Sequence, residues 1–379
     1  MERAYDVIVV GAGVIGLSCA WRCAQAGMSV LAVDRGEPGS GASGVAAGML
    51  APVTEANFGE EQLLRLNLEA RAQWPAFAAE LEELTALSTG YRDSGALVVA
   101  ADRDDADELR RLHAFQAELG LGSTWLGPRD ARRREPGLSP RIAGAIDAPQ
   151  DGHVDPAGVL RALTVALEAA GGHLATGMEI GEISTAGGAV DGISTAAGTA
   201  IAARTIVVAA GAWSAEGGLA TEASAPPVRP VKGQLLELRV RRGHRPPAER
   251  IVRTPRCYLL TRGDGRVVLG ATQEEQGFDT AITADGVYRL LEAAWEVIPD
   301  VGELELVRAR AGLRPGTPDN APAVGAGELT GLVWATGHHR NGVMLAPTTA
   351  RAVADLIGTG TLAPSFAAFD PRRFGEVRV

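Results

Sequence analysis

Residues Val7 to Gly16 read VIVVGAGVIG, four β-branched residues running directly into three spaced glycines. The β-branched run reads as a strand buried on both faces, the habit of a parallel sheet. Gly11 permits a tight turn, Gly13 lets backbone approach a pyrophosphate, and Gly16 lets the next helix pack closely on the strand. That helix, entered through Ala12, Val14 and Ile15, would turn unpaired N–H groups and a positive dipole end toward phosphates. A second strand, Ser29 to Val33, ends at Asp34. Asp34 lies about twenty residues past the glycines, where a carboxylate can take ribose hydroxyls. Strand, glycine turn, helix and trailing acid together predict a dinucleotide-binding unit. Taken alone, the glycines also fit an ordinary strand–helix turn.

The 379 residues suffice for two domains and a sizeable core. A net charge of −10 argues against nucleic acid and anionic membrane surfaces as partners. An anionic substrate must then be met by locally placed arginines. No apolar run reaches the ~18 residues that span a bilayer. A strand beginning near Tyr5 leaves no room for a secretory leader. Cys19, Cys23 and Cys257 cannot form an even disulfide framework and suit a reducing cytoplasm. Cys19 and Cys23 lie one helical turn apart without further metal ligands at suitable spacing, so they read as small buried hydrophobes.

Helical patterns cover Glu60 to Leu87, Asp102 to Leu119, Pro156 to Ala170, Thr283 to Ile298 and Pro347 to Ile357. Strands are expected at Ala96 to Ala100, His173 to Ile180, Thr205 to Ala209, Val231 to Val240 and Val267 to Gly270. Ala186 to Gly198 suggests hairpin turns on a surface sheet, and Asp155 reads as the cap of the helix beginning at Pro156. The fold class is α/β, a Rossmann-like domain built on a parallel sheet with helices on its faces. A discontinuous α+β domain with a mostly antiparallel sheet interrupts it. The boundaries expected are 1–88, 148–228 and 308–379 for the first domain, with 89–147 and 229–307 for the second.

Several segments point further. They are GASGVAAGMLAP (Gly41 to Pro52), GHVDP (Gly152 to Pro156), PVKGQ (Pro230 to Gln234), GLRPGTPDN (Gly312 to Asn320) and GHHRNGVMLAP (Gly337 to Pro347). With the opening glycines, this set resembles the D-amino-acid-oxidase-like flavoproteins, and within them the glycine-oxidase branch of thiamine biosynthesis. The likeness runs from Asp6 to about Phe369 and is most specific in the two C-terminal motifs.

The resemblance implies FAD in an extended form beneath a substrate domain, and oxidation of a small amine. Gly11, Gly13, Gly16, Asp34 and Arg35 would hold the ADP half. Ser43, Ala46, Ala47, Gly48 and Met49 would line the path to the flavin, with Gly211 near the pyrophosphate–ribityl region. Gly337, His338, Arg340, Asn341, Gly342 and Val343 would lie beside the isoalloxazine. Glycine would give glyoxylate, ammonia and hydrogen peroxide through an imine, with molecular oxygen as acceptor. The imine would serve the thiazole of thiamine, by transient contact with a thiazole-forming enzyme. A homotetramer is common among such oxidases.

The residues support these roles on their own chemistry. Small residues from Gly41 to Gly48 let backbone lie against a cofactor, although a flexible linker shares that composition. Arg314, stiffened by Pro315, suits a bidentate carboxylate clamp that lysine cannot imitate. Its plainer alternative is a surface arginine. Tyr258 offers a hydroxyl to the same carboxylate, or is simply a buried sheet tyrosine, and Arg340 adds positive potential near flavin and substrate. No catalytic acid or base is identified, because selection of the neutral amine requires none. His339 and Gln273 depart from the family pattern, which has an aromatic and an apolar residue there. Sarcosine, other N-methyl or D-amino acids, an NAD-dependent enzyme and a non-catalytic flavin module remain alternatives.

Overall fold

The structure is a computed structural model describing residues 4–219 and 225–375. Its first sheet has the strand order Ala323–Ala326, Leu332–Thr336, Ala200–Val208, Ala4–Val10, Val30–Val33, His173–Ala175. Along this order all neighbours are parallel except the edge pair Ala323–Ala326 with Leu332–Thr336; Ala189–Thr195 also joins Ala200–Val208 antiparallel. The register pairs Val9 with Ala32 on one side and with Val207 on the other. Val7, Ile8 and Val9 are wholly buried, as a strand central in a covered sheet requires.

One face carries the helices Val14–Gln25, Pro156–Ala169, Glu61–Thr85 and Gly342–Thr359. Their core includes Leu17, Trp21, Trp74, Leu163 and Val353. Within it the Trp74 indole N–H donates to the Met344 carbonyl at 2.9 Å. Cys19 and Cys23 are fully buried in the same core, which is the hydrophobe role expected of them. The opposite face is covered by an antiparallel hairpin, Ile180–Ala186 and Ala189–Thr195, through Ile183, Val190 and Ile193.

The second sheet runs Glu305–Gly316, Arg229–Arg239, Arg266–Gly270, Tyr258–Thr261, Ile251–Arg253, Ala96–Ala100, Gly144–Ala148, Thr124–Leu126. Only the pairing of Ile251–Arg253 with Ala96–Ala100 is parallel. Alternation along these strands sends Leu236, Leu238, Leu259 and Leu269 into a core beneath the helix Ala284–Val297. Leu235, Gly233 and Tyr258 face the other way, toward the first domain. Among the described residues no single helix is long and apolar enough to cross a membrane.

Two boundaries differ from expectation. The chain does not return to the first sheet near 308. Glu305–Gly316 pairs with Arg229–Arg239 along its length, and the next strand of the first sheet begins at Ala323. Proline and glycine in GLRPG conceal the strand, yet an edge position tolerates them. The last long helix begins at Gly342 rather than Pro347, following a 3-10 turn over His339–Asn341. Pro347 therefore lies in its second turn and forgoes only one backbone donor.

Several buried ionisable groups couple this fold to pH. Burial, with Arg262 and Arg92 nearby, pushes His153 down to about 4. Burial pushes His338 down to about 3. His339 is likewise pushed down to about 3, by burial and then by Arg314, Arg340 and Arg229. Burial raises Asp151 to about 6, although it accepts backbone N–H groups from Val53 and Thr54. Once unfolded, the three histidines bind protons below about pH 6.5 that the native protein refuses until pH 3–4. Asp151 opposes them, since its native form carries an extra proton between about pH 4 and 6. A net uptake of about two protons should remove about 2.7 kcal/mol of stability per pH unit near pH 5. Urea midpoints at pH 7.5, 6 and 5 check this: a steep fall between the last two is expected, and a flat profile contradicts the assignment.

Candidate active site

A cavity of about 1310 Å³ lies between the two sheets, larger than the ~300–1,000 Å³ usual for small ligands. At its floor is the glycine turn. Gly11 has φ +111°, and a Cβ there would lie 2.4 Å from the Ala209 carbonyl oxygen; one at Gly16 would lie 1.8 Å from the Gly11 oxygen. These two glycines are dictated by backbone contact. Gly13, in contrast, caps the helix in an extended conformation with no side-chain cap of its own. The cap comes from elsewhere: the Ser43 hydroxyl accepts the Val14 N–H at 3.0 Å.

Asp34 lines the cavity, but both of its oxygens are already engaged. Oδ2 accepts from Ala12 N–H at 2.7 Å and Oδ1 from Gly36 N–H at 2.8 Å. The carboxylate thus ties the glycine turn to the end of the second strand, and a ribose would share its remaining lone pairs. Arg35 sits over the Trp213 ring at 4.2 Å, and Trp213 stacks on Phe278 with centroids 5.6 Å apart. Because Phe278 belongs to the second domain's loop, this stack joins the two domains at one end of the cavity.

The segment Ser43 to Met49 forms a wall. Gly48, at φ +79°, would place a Cβ 2.3 Å from the Val154 oxygen. Met49 pairs with His153, and Gly48 accepts the Val154 N–H at 2.9 Å. Arg262 pins this wall from the second domain: its guanidinium donates to the carbonyls of Ala47 and Val154, both at 2.6 Å. Asp155 stands at the N-cap position, but the side-chain cap expected from sequence is not made. It pairs instead with Arg266 at 2.6 Å and with Arg262 at 3.7 Å. Two cations compete for this carboxylate, and together they outweigh one backbone N–H.

Of the residues expected around a cofactor, Gly11, Gly13, Val14, Ile15, Asp34, Arg35, Ser43, Ala46, Ala47, Gly48, Met49, Gly211, His338, Arg340, Gly342 and Val343 line the cavity. Ala12, Gly16, Gly337 and Asn341 stand behind that lining. Gly337, at φ +72°, shapes the turn, and His338 is anchored by Thr349 at 3.1 Å. The Asn341 amide nitrogen is buried without a partner. Backbone N–H groups at a helix start, close-approach glycines and the cavity's size fit an extended dinucleotide such as FAD. When bound, FAD supplies a two-electron acceptor.

The second sheet supplies the opposite wall. Val231 pairs with Arg314 and Gly233 with Gly312, so Gly233 is the diagonal neighbour of Arg314 on the cavity face. A Cβ on Gly233 would lie 2.5 Å from both terminal guanidinium nitrogens. The missing side chain is the slot in which Arg314 lies. Nη1 donates to the Thr272 carbonyl at 3.1 Å and the Lys232 carbonyl at 3.4 Å. Among the described residues Arg314 has no carboxylate partner. Gly270 makes equivalent room for Tyr258: a Cβ there would fall 2.5 Å from the phenol oxygen. Burial raises the Tyr258 pKa, while Arg314 and other cations oppose the shift.

Arg340 also lines the cavity, but its guanidinium is engaged by Glu60 at 2.9 Å. It stands at the rim, bracing the turn that carries it. Sequence reasoning missed the Glu55–Arg253 ion pair of 2.7 Å, Trp213 and Arg262. Nothing local marks Glu55 or Arg253. Gly233 was visible only as part of a motif, without its reason.

Known proteins share this arrangement. A family model described as FAD dependent oxidoreductase (DAO) matches residues 6–356. A glycine oxidase of Geobacillus kaustophilus is 36% identical over the whole of both chains. A bifunctional protein ThiO/ThiG of Synechocystis is 35% identical over 99% of this chain, which spans 55% of that protein. The crystal structure of glycine oxidase from Geobacillus kaustophilus superposes with a TM-score of 0.92, covering 98% of this chain and 99% of that one at 34% identity. On the matched span, the shared fold and the cavity built for an extended dinucleotide, the chain belongs to the DAO family of FAD-dependent oxidoreductases.

Proposed function

We propose that this chain oxidises the carbon–nitrogen bond of a small amino acid, glycine foremost, with FAD as the electron acceptor. The overall reaction is glycine, oxygen and water to glyoxylate, ammonia and hydrogen peroxide. One observation carries the reading: Arg314 lies seated in the cavity wall, held from behind by two carbonyls, with no carboxylate among the described residues to neutralise it. A half-buried guanidinium kept free in this way is matched by a substrate carboxylate. Tyr258 adds a hydroxyl donor to the same place. The full-length likeness to glycine oxidases supports the choice of substrate.

The protein's part is positioning. Arg314 and Tyr258 hold the carboxylate end, which sets where the α-carbon lies. The turn Gly337 to Val343 and the loop Ser43 to Met49 hold the redox group. Neither Glu55, paired with Arg253, nor His339, neutral near pH 7, is assigned to move the amine proton. The amine therefore enters deprotonated. Release of an imine fits supply of a thiazole-forming partner, and the bifunctional relative supports such contact. A second reading is sarcosine or another N-substituted glycine, since one added methyl is discriminated by only ~1–3 kcal/mol, and polar Gln273 at the cavity wall bears on which amine fits.

Anaerobic mixing with glycine, sarcosine, D-alanine and D-proline should bleach the flavin absorbance, fastest with glycine. Failure of every amine to bleach it overturns the proposal. Replacement Arg314→Ala removes charge-assisted hydrogen bonds worth about 1.5–3 kcal/mol, so KM should rise about ten- to a hundredfold with FAD content unchanged. Unaltered KM would remove Arg314 from the clamp. Gly233→Ala tests the slot: a flexible guanidinium yields before the backbone does, so KM should rise while the thermal midpoint stays nearly constant. Normal KM in this variant would show that Gly233 does not seat the clamp.

A further inference from the structure

One buried group on the cavity wall remains unused. His339 is only 7% exposed, lines the cavity, and has no hydrogen-bond partner for either ring nitrogen among the described residues. Buried imidazole nitrogens are ordinarily hydrogen-bonded, and an exception at a cavity wall points to a ligand. Its backbone adopts φ +47°, a left-handed conformation uncommon outside glycine. Backbone strain of that kind gathers where a side chain must be held in place for function.

The surroundings define what the ligand must be. Arg314, Arg340 and Arg229 all act electrostatically on this ring. Arg340 is occupied by Glu60, and Arg229 donates to the Thr317 carbonyl and pairs with Glu275. Arg314 alone lacks an anion. A group drawn into this field is negative, and a negative group accepts hydrogen bonds. A neutral imidazole contributes one N–H donor without adding a further cation to an already positive wall. The low proton affinity of His339 keeps it in that neutral form.

We propose that His339 is a substrate-binding residue that donates a ring N–H to the carboxylate clamped by Arg314. The inference rests on the carboxylate-clamp reading of the cavity. The carboxylate then has donors from the second sheet and from the turn before the last helix, so it is fixed between the two domains. An apolar aromatic side chain could fill the same volume but would leave the carboxylate with fewer donors.

The probe is acetate, a carboxylate without an amine, titrated into the purified FAD-loaded enzyme and followed by the flavin absorbance shift. H339F should weaken acetate about ten- to a hundredfold, the worth of one hydrogen bond to a charged group, with FAD content unchanged. H339N and H339Q offer an amide N–H near one or other ring nitrogen, and at least one should recover most of the affinity. Unchanged acetate affinity in H339F, beside a clear loss in R314A, overturns the inference while leaving the clamp intact. Unchanged affinity in both variants overturns the clamp itself. If neither amide variant recovers binding, the ring acts by shape and the donor role is wrong. Loss of FAD from H339F would place the ring against the cofactor and also overturns the inference.

Discussion

The pairing of Arg229–Arg239 with Glu305–Gly316 sets the geometry on which the candidate site depends. Its register places Gly233 diagonal to Arg314 on the face toward the cavity. A slip of one residue would turn Arg314 away and bring its neighbours inward. The same alternation sends Leu236 and Leu238 into the core under the helix Ala284–Val297. Hydrophobic burial on one face therefore fixes which residues reach the cavity on the other. The proposed clamp needs no separate device to aim it.

The cavity exists because two differently built sheets meet across it, and a few contacts join them. Arg262 crosses from the second sheet to the carbonyls of Ala47 and Val154. The Arg35, Trp213 and Phe278 stack bridges the other end. A buried guanidinium is costly unless its donors and charge are met; here two backbone carbonyls accept from the terminal nitrogens, and Asp155, 3.7 Å from Nε, balances the charge without a hydrogen bond. These ties hold the loop Ser43 to Met49 at a set distance from Arg314. In such a site catalysis comes chiefly from position and from a fixed electrostatic field.

Much of the fold could be read from short-range pattern. The strand Ala4–Val10, its glycine turn and the helix Val14–Gln25 followed from β-branched content and glycine spacing. The helix Glu61–Thr85 followed from amphipathic period, despite Pro75 within it. The strand Glu305–Gly316 was not placed in the second sheet, because proline and glycine in its last residues look like a turn. Only its partner strand shows that they lie on a sheet edge. Asp155 was assigned to its nearest helix because sequence cannot display Arg262 and Arg266 arriving from more than a hundred residues away.

The site divides along the same line. Sequence alone marked the glycine turn, the small-residue loop, the late glycine turn and Arg314 as candidates, since each depends on local backbone needs or on a side chain with few substitutes. Tertiary structure decided that Gly233 and Gly270 are slots for Arg314 and Tyr258, and that Arg340 is tied to Glu60. It also left the His339 ring buried and unpartnered on the cavity wall. Those outcomes are contacts between residues distant along the chain. They become definite only when packing of two cores brings the two sheets face to face.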